Sequence, residues 1–135
     1  MATENVVLDV SYEAAEDLSN DQYRIMILDP TTGKVRRPDH ATTDGGGHGV
    51  LQNAPGAGEA AVVRLIGISK IQLGETVAIN EWIKLEYVSA TDAGKGLDAD
   101  SALDLAIGRC IKGGDEDQLG EILLSGAVHQ VNAAS

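Results

Sequence analysis

The sequence predicts a mainly β domain, a small barrel or sandwich, on three observations. About eight short apolar segments recur roughly every ten residues, as in small all-β folds. The 16 glycines supply many turns and bulges, which a helical bundle does not need. With no Phe, one Trp and three Tyr, the core must be aliphatic. A chain of 135 residues suits one such domain.

The first predicted strand covers residues 6–10 and is followed by a polar, acidic stretch at 11–22. It consists of Val6, Val7, Leu8, Asp9 and Val10, and no hairpin partner lies beside it in the sequence. A terminal strand before a polar spacer indicates an N-terminal arm, residues 1–16, disordered or loosely held in the free protein. The pattern fits an ordinary first strand of the sheet equally well.

The middle of the chain contains the clearest strand patterns. A strand at 23–29 is closed by the turn Pro30-Thr31-Thr32-Gly33 and followed by a short apolar return at 34–37. The Gly-rich stretch 39–49 predicts a loop. Residues 60–68 are almost continuously apolar, which is typical of a strand buried on both faces. The other predicted strands lie at 49–53, 69–74, 76–79 and 82–88, with a weak one at 94–97.

Residues 103–112 fit two patterns. Asp100 or Ser101 could cap a helix that ends before Gly113 and Gly114. The apolar positions have helical spacing: Leu103, Ala106, Ile107, Cys110 and Ile111. A strand is also compatible with this segment. Strands at 121–124 and 128–131 follow, and residues 132–135 are predicted to fray, so the β body extends over 17–131.

The net charge of −11 excludes some partners. Binding to a nucleic acid backbone needs a basic face, and the only local basic cluster is Lys34, Arg36 and Arg37. Anionic membranes would repel the chain, and no segment approaches the ~20 apolar residues of a membrane span. The start, MATENVVLDV, lacks a signal-peptide pattern. We therefore expect synthesis in a reducing cytoplasm and no nucleic-acid or membrane partner.

The motifs for catalysis or metal binding are weak. The stretch from Gly56 to Ala61 begins like a dinucleotide fingerprint, but Ala61 replaces the third glycine and no βαβ pattern surrounds it. Cys110 lies in an apolar run, which indicates a buried small hydrophobe rather than a catalytic thiol. The lone His129 has aliphatic neighbours in the sequence.

Two groups of polar residues could be taken for metal sites. Asp39, His40, Asp44 and His48 share one loop, but their spacing matches no known site. The second group lacks the order of an EF-hand loop and is interpreted as a solvated face. Its members are Asp92, Asp98, Asp100, Asp104, Asp115, Glu116, Asp117 and Glu121. We expect no catalytic residues, no metal, no cofactor and no small-molecule substrate.

Trp82 opens an alternating segment in which it shares parity with Lys84 and Glu86. It therefore points away from Ile83 and Leu85, toward the outer face, where a large apolar ring often marks a contact site. A satellite core position for Trp82 is equally compatible with the pattern.

Several phrases together resemble the bacteriophage capsid cement proteins, which are related in fold to the lambda-type head decoration proteins. The resemblance covers roughly residues 17–125. It rests on Asp17-Leu18-Ser19, Gln22-Tyr23, the phrase GVLQNAPGAGEAA from Gly49 to Ala61, Val63-Arg64, Gly67-Ile68-Ser69-Lys70 and Ala106-Ile107-Gly108-Arg109.

The resemblance implies a small β-barrel body called a β-tulip, with an extended N-terminal arm. Such proteins sit as homotrimers on threefold and quasi-threefold axes of the outer capsid surface, and their arms add a strand to sheets of the major capsid protein. It favours a strand at 103–112. The expected function is stabilisation of the expanded phage head, with residues 6–10 as the capsid-binding arm. The alternatives are a small β-barrel that binds a ligand or peptide and an enzyme that uses the His-rich loop.

Overall fold

The computed structural model describes residues 5–39, 46–87, 91–100 and 104–130. Within these ranges the chain forms nine β-strands and no helix, which confirms the mainly β fold class. The strands are β1 (Asn5–Glu13), β2 (Ile25–Leu28), β3 (Val35–Arg36), β4 (Gly49–Leu51), β5 (Ala60–Gln72), β6 (Trp82–Leu85), β7 (Gly96–Asp98), β8 (Leu105–Lys112) and β9 (Leu119–Gln130).

Eight strands form one antiparallel sheet that curls into a half-barrel, in the order β3-β2-β4-β5-β9-β8-β6-β7. The ninth strand, β1, pairs with β5 outside this path. Val63 and Arg64 of β5 have register partners in both β1 and β4, so these two strands lie along opposite edges of β5. The central strand β5 is therefore the platform on which β1 rests.

The core has two layers because β2 and β4 are buried on both faces. Ile25 and Val50 point into the curl of the sheet, where they join Ile71, Ile83 and other aliphatic residues. The next residue of each strand faces the opposite side: Met26 and Leu51 pack with Ala14, Leu18, Val35, Ala61 and Val63. Continuous apolar runs, rather than alternating ones, are the sequence signature of such two-sided burial.

Two predicted strand pairs are each a single long strand. Predicted strand 60–68 and residues 69–72 of the next one form the 13-residue β5, and predicted strand 121–124 and residues 128–130 form part of the 12-residue β9; residue 131 lies outside the described ranges. Within β5, Gly67 has a φ of 123°, a conformation that glycine adopts readily, so the strand continues through a local irregularity instead of ending there.

The predicted strand at 103–112 is confirmed as β8, whereas the one at 76–79 is wrong. In β8, Ala106, Ile107 and Gly108 are buried in succession because neighbouring strands and core cover both faces. At 76–79 the chain makes only an isolated bridge from Val77 to Gly114, and Ile79 is 67% exposed. The alternating pattern of that short segment reflects the single buried residue Val77 and not a strand of the sheet.

Several predicted features lie outside the described residues: His40, Asp44, Ser101, residues 1–4 and the C-terminal residues 132–135. In the described ranges, no helix has the length and apolar character needed to cross a membrane.

Candidate interaction surface

The N-terminal segment lies on the sheet as an edge strand. β1 runs antiparallel to β5 from Asn5 opposite Ile68 to Glu13 opposite Ala60. Among the described residues, only β5 is paired with β1, so the other edge of β1 presents its backbone groups outward. The sequence left an arm and a first strand equally open, and in this structure residues 5–13 have the position of a strand.

The described side chains at 6–8 of β1 are all exposed, whereas the C-terminal half alternates, with Val10 and Tyr12 half-buried and Ser11 and Glu13 exposed. Val6, Val7 and Leu8 are 54%, 65% and 41% exposed, although they are apolar. Val10 is half-buried, and Ala14, the residue after the strand, is 1% exposed. Val6 lies opposite Gly67, which offers no side chain to pack against. The pairing register also shifts twice, between Val6 and Leu8 and between Leu8 and Asp9.

The C-terminal half of β1 is fixed by polar contacts, of which the pair between Asp9 and Arg64 is the most enclosed. The Arg64 guanidinium donates from Nε to Asp9 Oδ1 (2.9 Å) and from Nη2 to Oδ2 (3.2 Å). Its Nη1 also donates to the carbonyl of Ile68 (2.9 Å). Arg64 is only 5% exposed, and a buried guanidinium requires such bidentate partners.

Tyr12 provides a second fixed point of β1. Its hydroxyl lies 2.8 Å from Nε2 of His48, and its ring packs against the second core layer. Burial lowers the pKa of His48, so the ring is neutral at pH 7 and can accept a hydrogen bond from the hydroxyl. The interpretation of His48 as a solvated loop residue was therefore wrong.

The outer face of the half-barrel carries a row of four residues, Ile68, Leu123, Arg109 and Trp82, which we call the outer row. Each is the register partner of the next across β5, β9, β8 and β6. Directly opposite residues of paired strands point to the same face. Leu123 is 47% exposed and Arg109 is exposed, so the row combines apolar, aromatic and cationic side chains at the surface.

Trp82 lies on the face opposite its buried neighbour Ile83, and it is half-buried. Its ring stacks on His129 with centroids 4.2 Å apart and planes inclined by 19°. The Arg109 guanidinium lies 5.0 Å from the ring centroid, within cation–π range. Trp82 also packs against Ala99 and Ala106. His129 thus has an aromatic neighbour that its sequence context did not indicate.

The acidic residues predicted to form one solvated face divide into different environments. Glu121 is 5% exposed, and Asp104 pairs with Lys84 (3.1 Å). Asp92 and Asp117 both accept hydrogen bonds from the Lys95 ammonium at 2.6 Å. Burial alone would lower the pKa of Lys95, but these two carboxylates outweigh it and raise the pKa. A single solvated face is therefore wrong for this group.

Asp98 is the carboxylate in the least favourable surroundings of this group. Its Oδ1 is buried and has no hydrogen-bond partner. Burial, followed by repulsion from Glu81, Asp100 and Glu75, raises the pKa of Asp98 to about 6. Glu75 nevertheless accepts the Asp98 backbone N–H (2.8 Å), so the two acidic residues are held close together. The ionised form of Asp98 is therefore unfavourable at its position in β7.

A cleft of about 280 Å³ on the described surface is lined by Glu16, Arg36, Arg37, Pro38, Asp39, Tyr87 and Ala93. Its cations are engaged: Arg37 pairs with Glu16 and Asp21, and Arg36 pairs with Asp39. Ligand pockets for small molecules generally measure ~300–1,000 Å³. The residues in the described ranges form no group of three or more His, Cys, Asp or Glu able to hold a metal.

Cys110 is buried, as its apolar run predicted, and burial raises the pKa of its thiol. Gly56 and Gly58, the start of the rejected fingerprint, lie in the turn that precedes β5 rather than before a helix. The structure thus brings together two groups of surface residues: β1 along the edge of β5, and the outer row around Trp82. The sequence indicated Val6–Val10 and Trp82 individually, but not Arg64, Arg109, Leu123 or His129 as their neighbours.

No protein-family model and no curated protein matches the sequence. A solved structure is similar to this fold: the N base of the head fibre gp8.5 of bacteriophage phi29. The two share 12% sequence identity with a TM-score of 0.61, and the similarity covers 89% of this chain and 95% of that chain. At this identity the comparison establishes a common fold.

Proposed function

We propose that the chain is a non-enzymatic structural protein of a bacteriophage virion that binds the outer surface of the expanded head. The observation that supports this most strongly is the fold shared with the phi29 head-fibre base over nearly the whole of both chains. The phrases that resemble the capsid cement proteins also favour a protein associated with a phage head. The partner is the major capsid protein.

The contact is made through β1, by addition of a strand to a sheet of the capsid. In this mode backbone hydrogen bonds provide affinity, and alternate side chains fix the register. The exposed Val6, Val7 and Leu8 and the outward edge of β1 support this role. The body, residues 17–131, positions the strand, and Trp82 in the outer row provides a second contact.

The chain acts as a homotrimer at a threefold or quasi-threefold axis. With three copies bound together, each single contact with the capsid can be weak. A trimer that binds three capsid subunits gains affinity from effective concentration without any additional type of contact. The acidic surface, at a net charge of −11, disfavours nucleic acid and keeps the free protein soluble before assembly.

Pelleting with purified heads tests the proposal. Expanded heads that lack this protein, prepared from the phage that encodes it, are expected to bind the chain, and compact precursor shells are not. Binding through backbone pairing and apolar contact should survive a rise from low to moderate salt, because it does not depend on screened charges. Deletion of residues 1–10 should abolish binding, and Trp82→Ala should weaken it.

Circular dichroism of both variants serves as the control for folding. Equal binding to the two shell forms, or binding of the deletion variant at the level of the full chain, would contradict the proposal. Loss of all binding at moderate salt would contradict the contact mechanism.

A further inference from the structure

We infer that β1 is bipartite: Asp9–Glu13 is a permanent anchor on β5, and Asn5–Leu8 is a detachable segment that leaves β5 to pair with the capsid. This inference rests on the proposed function and makes it specific. It places the root of the arm between Leu8 and Asp9, well before residue 16, where the sequence placed the arm's end.

The anchor is fixed by three kinds of contact. Asp9 forms the bidentate pair with the buried Arg64. Tyr12 bonds to His48 and packs on the second core layer, and Val10 lies opposite the buried Val63. Detaching this half would leave the Arg64 guanidinium without the carboxylate that it faces, which is strongly unfavourable for a buried charge.

In the detachable segment, the described side chains at 6–8 make no such polar contact. Val6 and Val7 are more than half exposed while docked, and Val6 lies opposite Gly67, so their release uncovers little apolar surface. Both register shifts of β1 lie between Val6 and Asp9, where they interrupt the regular ladder. What holds this segment is mainly backbone pairing, which a strand of the capsid would replace bond for bond.

The position of the two register shifts defines a hinge. On one side, the ladder from Asp9 to Glu13 is regular, opposite Arg64 to Ala60. On the other side, three consecutive apolar side chains face solvent. A segment that is docked in the free protein but exposes its apolar side chains avoids an unpaired backbone before assembly, and it still presents the residues that a capsid strand would contact.

Two engineered disulfides separate the halves. Leu8→Cys with Ile66→Cys locks the detachable segment, and Ser11→Cys with Val62→Cys locks the anchor; both pairs are register partners. Cys110 is buried and does not compete. We expect the oxidised Leu8/Ile66 lock to reduce binding to expanded heads at least about tenfold, with recovery on reduction. The oxidised Ser11/Val62 lock should bind like the wild type.

Unchanged binding of the oxidised Leu8/Ile66 lock would overturn the inference, since β1 would then act while docked. Loss of binding by the oxidised Ser11/Val62 lock would place the hinge after the anchor and overturn it as well. In both cases binding of the wild type would leave the proposed function intact.

Hydrogen exchange on the free protein provides a test that needs no capsid. Among the β1 amides that bond to β5, those of residues 5–8 should exchange at least about tenfold faster than those of residues 10–13, because only the first segment opens locally. Equal protection along β1 would contradict the bipartite strand even if the deletion experiment supports head binding.

Discussion

At the scale of single residues, two buried charged groups differ in whether they have hydrogen-bond partners. Arg64 is buried but meets a bidentate carboxylate and a backbone carbonyl, so its charge is compensated. Asp98 has a buried oxygen without a partner and three acidic neighbours. The Arg64 pair therefore holds the anchor half of β1 on β5, whereas Asp98 destabilises its surroundings when it is ionised.

Asp98 makes the stability depend on pH. Its pKa of about 6 in the folded state lies above the ordinary carboxyl value of 3.8, so the folded state binds more protons than the unfolded state between these pH values. The free energy of unfolding should therefore fall as the pH rises from about 4 to above 6 because of this group. The contribution is lost at neutral pH, where the carboxylate is ionised in both states.

Asp98→Asn should remove this penalty. At pH 7.5 we expect the Tm of the variant to exceed that of the wild type by a few degrees, on the order of 2–5 °C, and near pH 4 the two should converge. Thermal melts across this pH range measure the effect. Glu116→Gln, which removes one negative charge at an exposed position, is the matched control. A constant difference between Asp98→Asn and wild type at all pH values would contradict the assignment to Asp98 ionisation.

At the scale of elements, the half-barrel depends on close approach between β8 and β9. Gly108 lies where a Cβ would come within 2.4 Å of the Leu123 carbonyl oxygen and 2.9 Å of the Ile122 side chain. The register of the two strands shifts beside Gly108, from Ala106 opposite His129 to Gly108 opposite Leu124. The absence of a side chain at Gly108 permits this close approach beside the register shift, beyond which His129 lies opposite Ala106 and stacks on Trp82.

Gly108→Ala should therefore destabilise the protein by about 2–3 kcal/mol, because the contact is with backbone that cannot rotate away. Chemical denaturation measures the difference. Gly56→Ala is the control, since a Cβ there meets only the flexible carboxylate of Glu59, and it should change the stability by less than about 0.5 kcal/mol. Equal effects of the two substitutions would contradict the role assigned to the close contact at Gly108.

At the scale of the whole molecule, the proposed role is mechanical. A shell expanded by packaged DNA is weakest at the junctions between its capsomers, and a trimer across a junction adds binding free energy only to the expanded, intact state. Molecules that bind one state stabilise that state by mass action. The protein should therefore act without any chemical reaction.

Decorated heads should consequently retain their DNA at higher temperature, and for longer in chelator, than bare heads. DNA release followed by a fluorescent dye during heating measures this difference. Heads mixed with the protein lacking residues 1–10 serve as the control and should behave like bare heads. Identical release temperatures for decorated and bare heads would rule out stabilisation as the function, even where binding is demonstrated.

The sequence was informative where burial follows a simple period. The strand at β5 and the position of Trp82 on the face opposite Ile83 followed from their patterns, and the strand β8 followed from the family resemblance against a helical spacing. The two-sided burial predicted for residues 60–68 was wrong, because buried and partly exposed residues largely alternate along β5. Trp82 packs on Ala99 and Ala106, which fits the alternative of a satellite core position. The strand predicted at 76–79 was wrong because only Val77 is buried there. The long strand β5 was predicted as two strands because it contains an irregularity at Gly67. These errors have a common cause, since a local window contains no information about the partner strand.

The amino-acid sequence by itself determined the β class, the aliphatic core, the buried Cys110 and the acidic surface, because these depend on composition and short-range periodicity. Only the tertiary structure decided where the N-terminal strand lies and what it contacts. Asp9 and Arg64 are 55 residues apart, and Trp82 and His129 are 47 apart by numbering. Such pairs arise from strand order and register, which are set by the free energy of the whole packed sheet rather than by the preferences of any one segment.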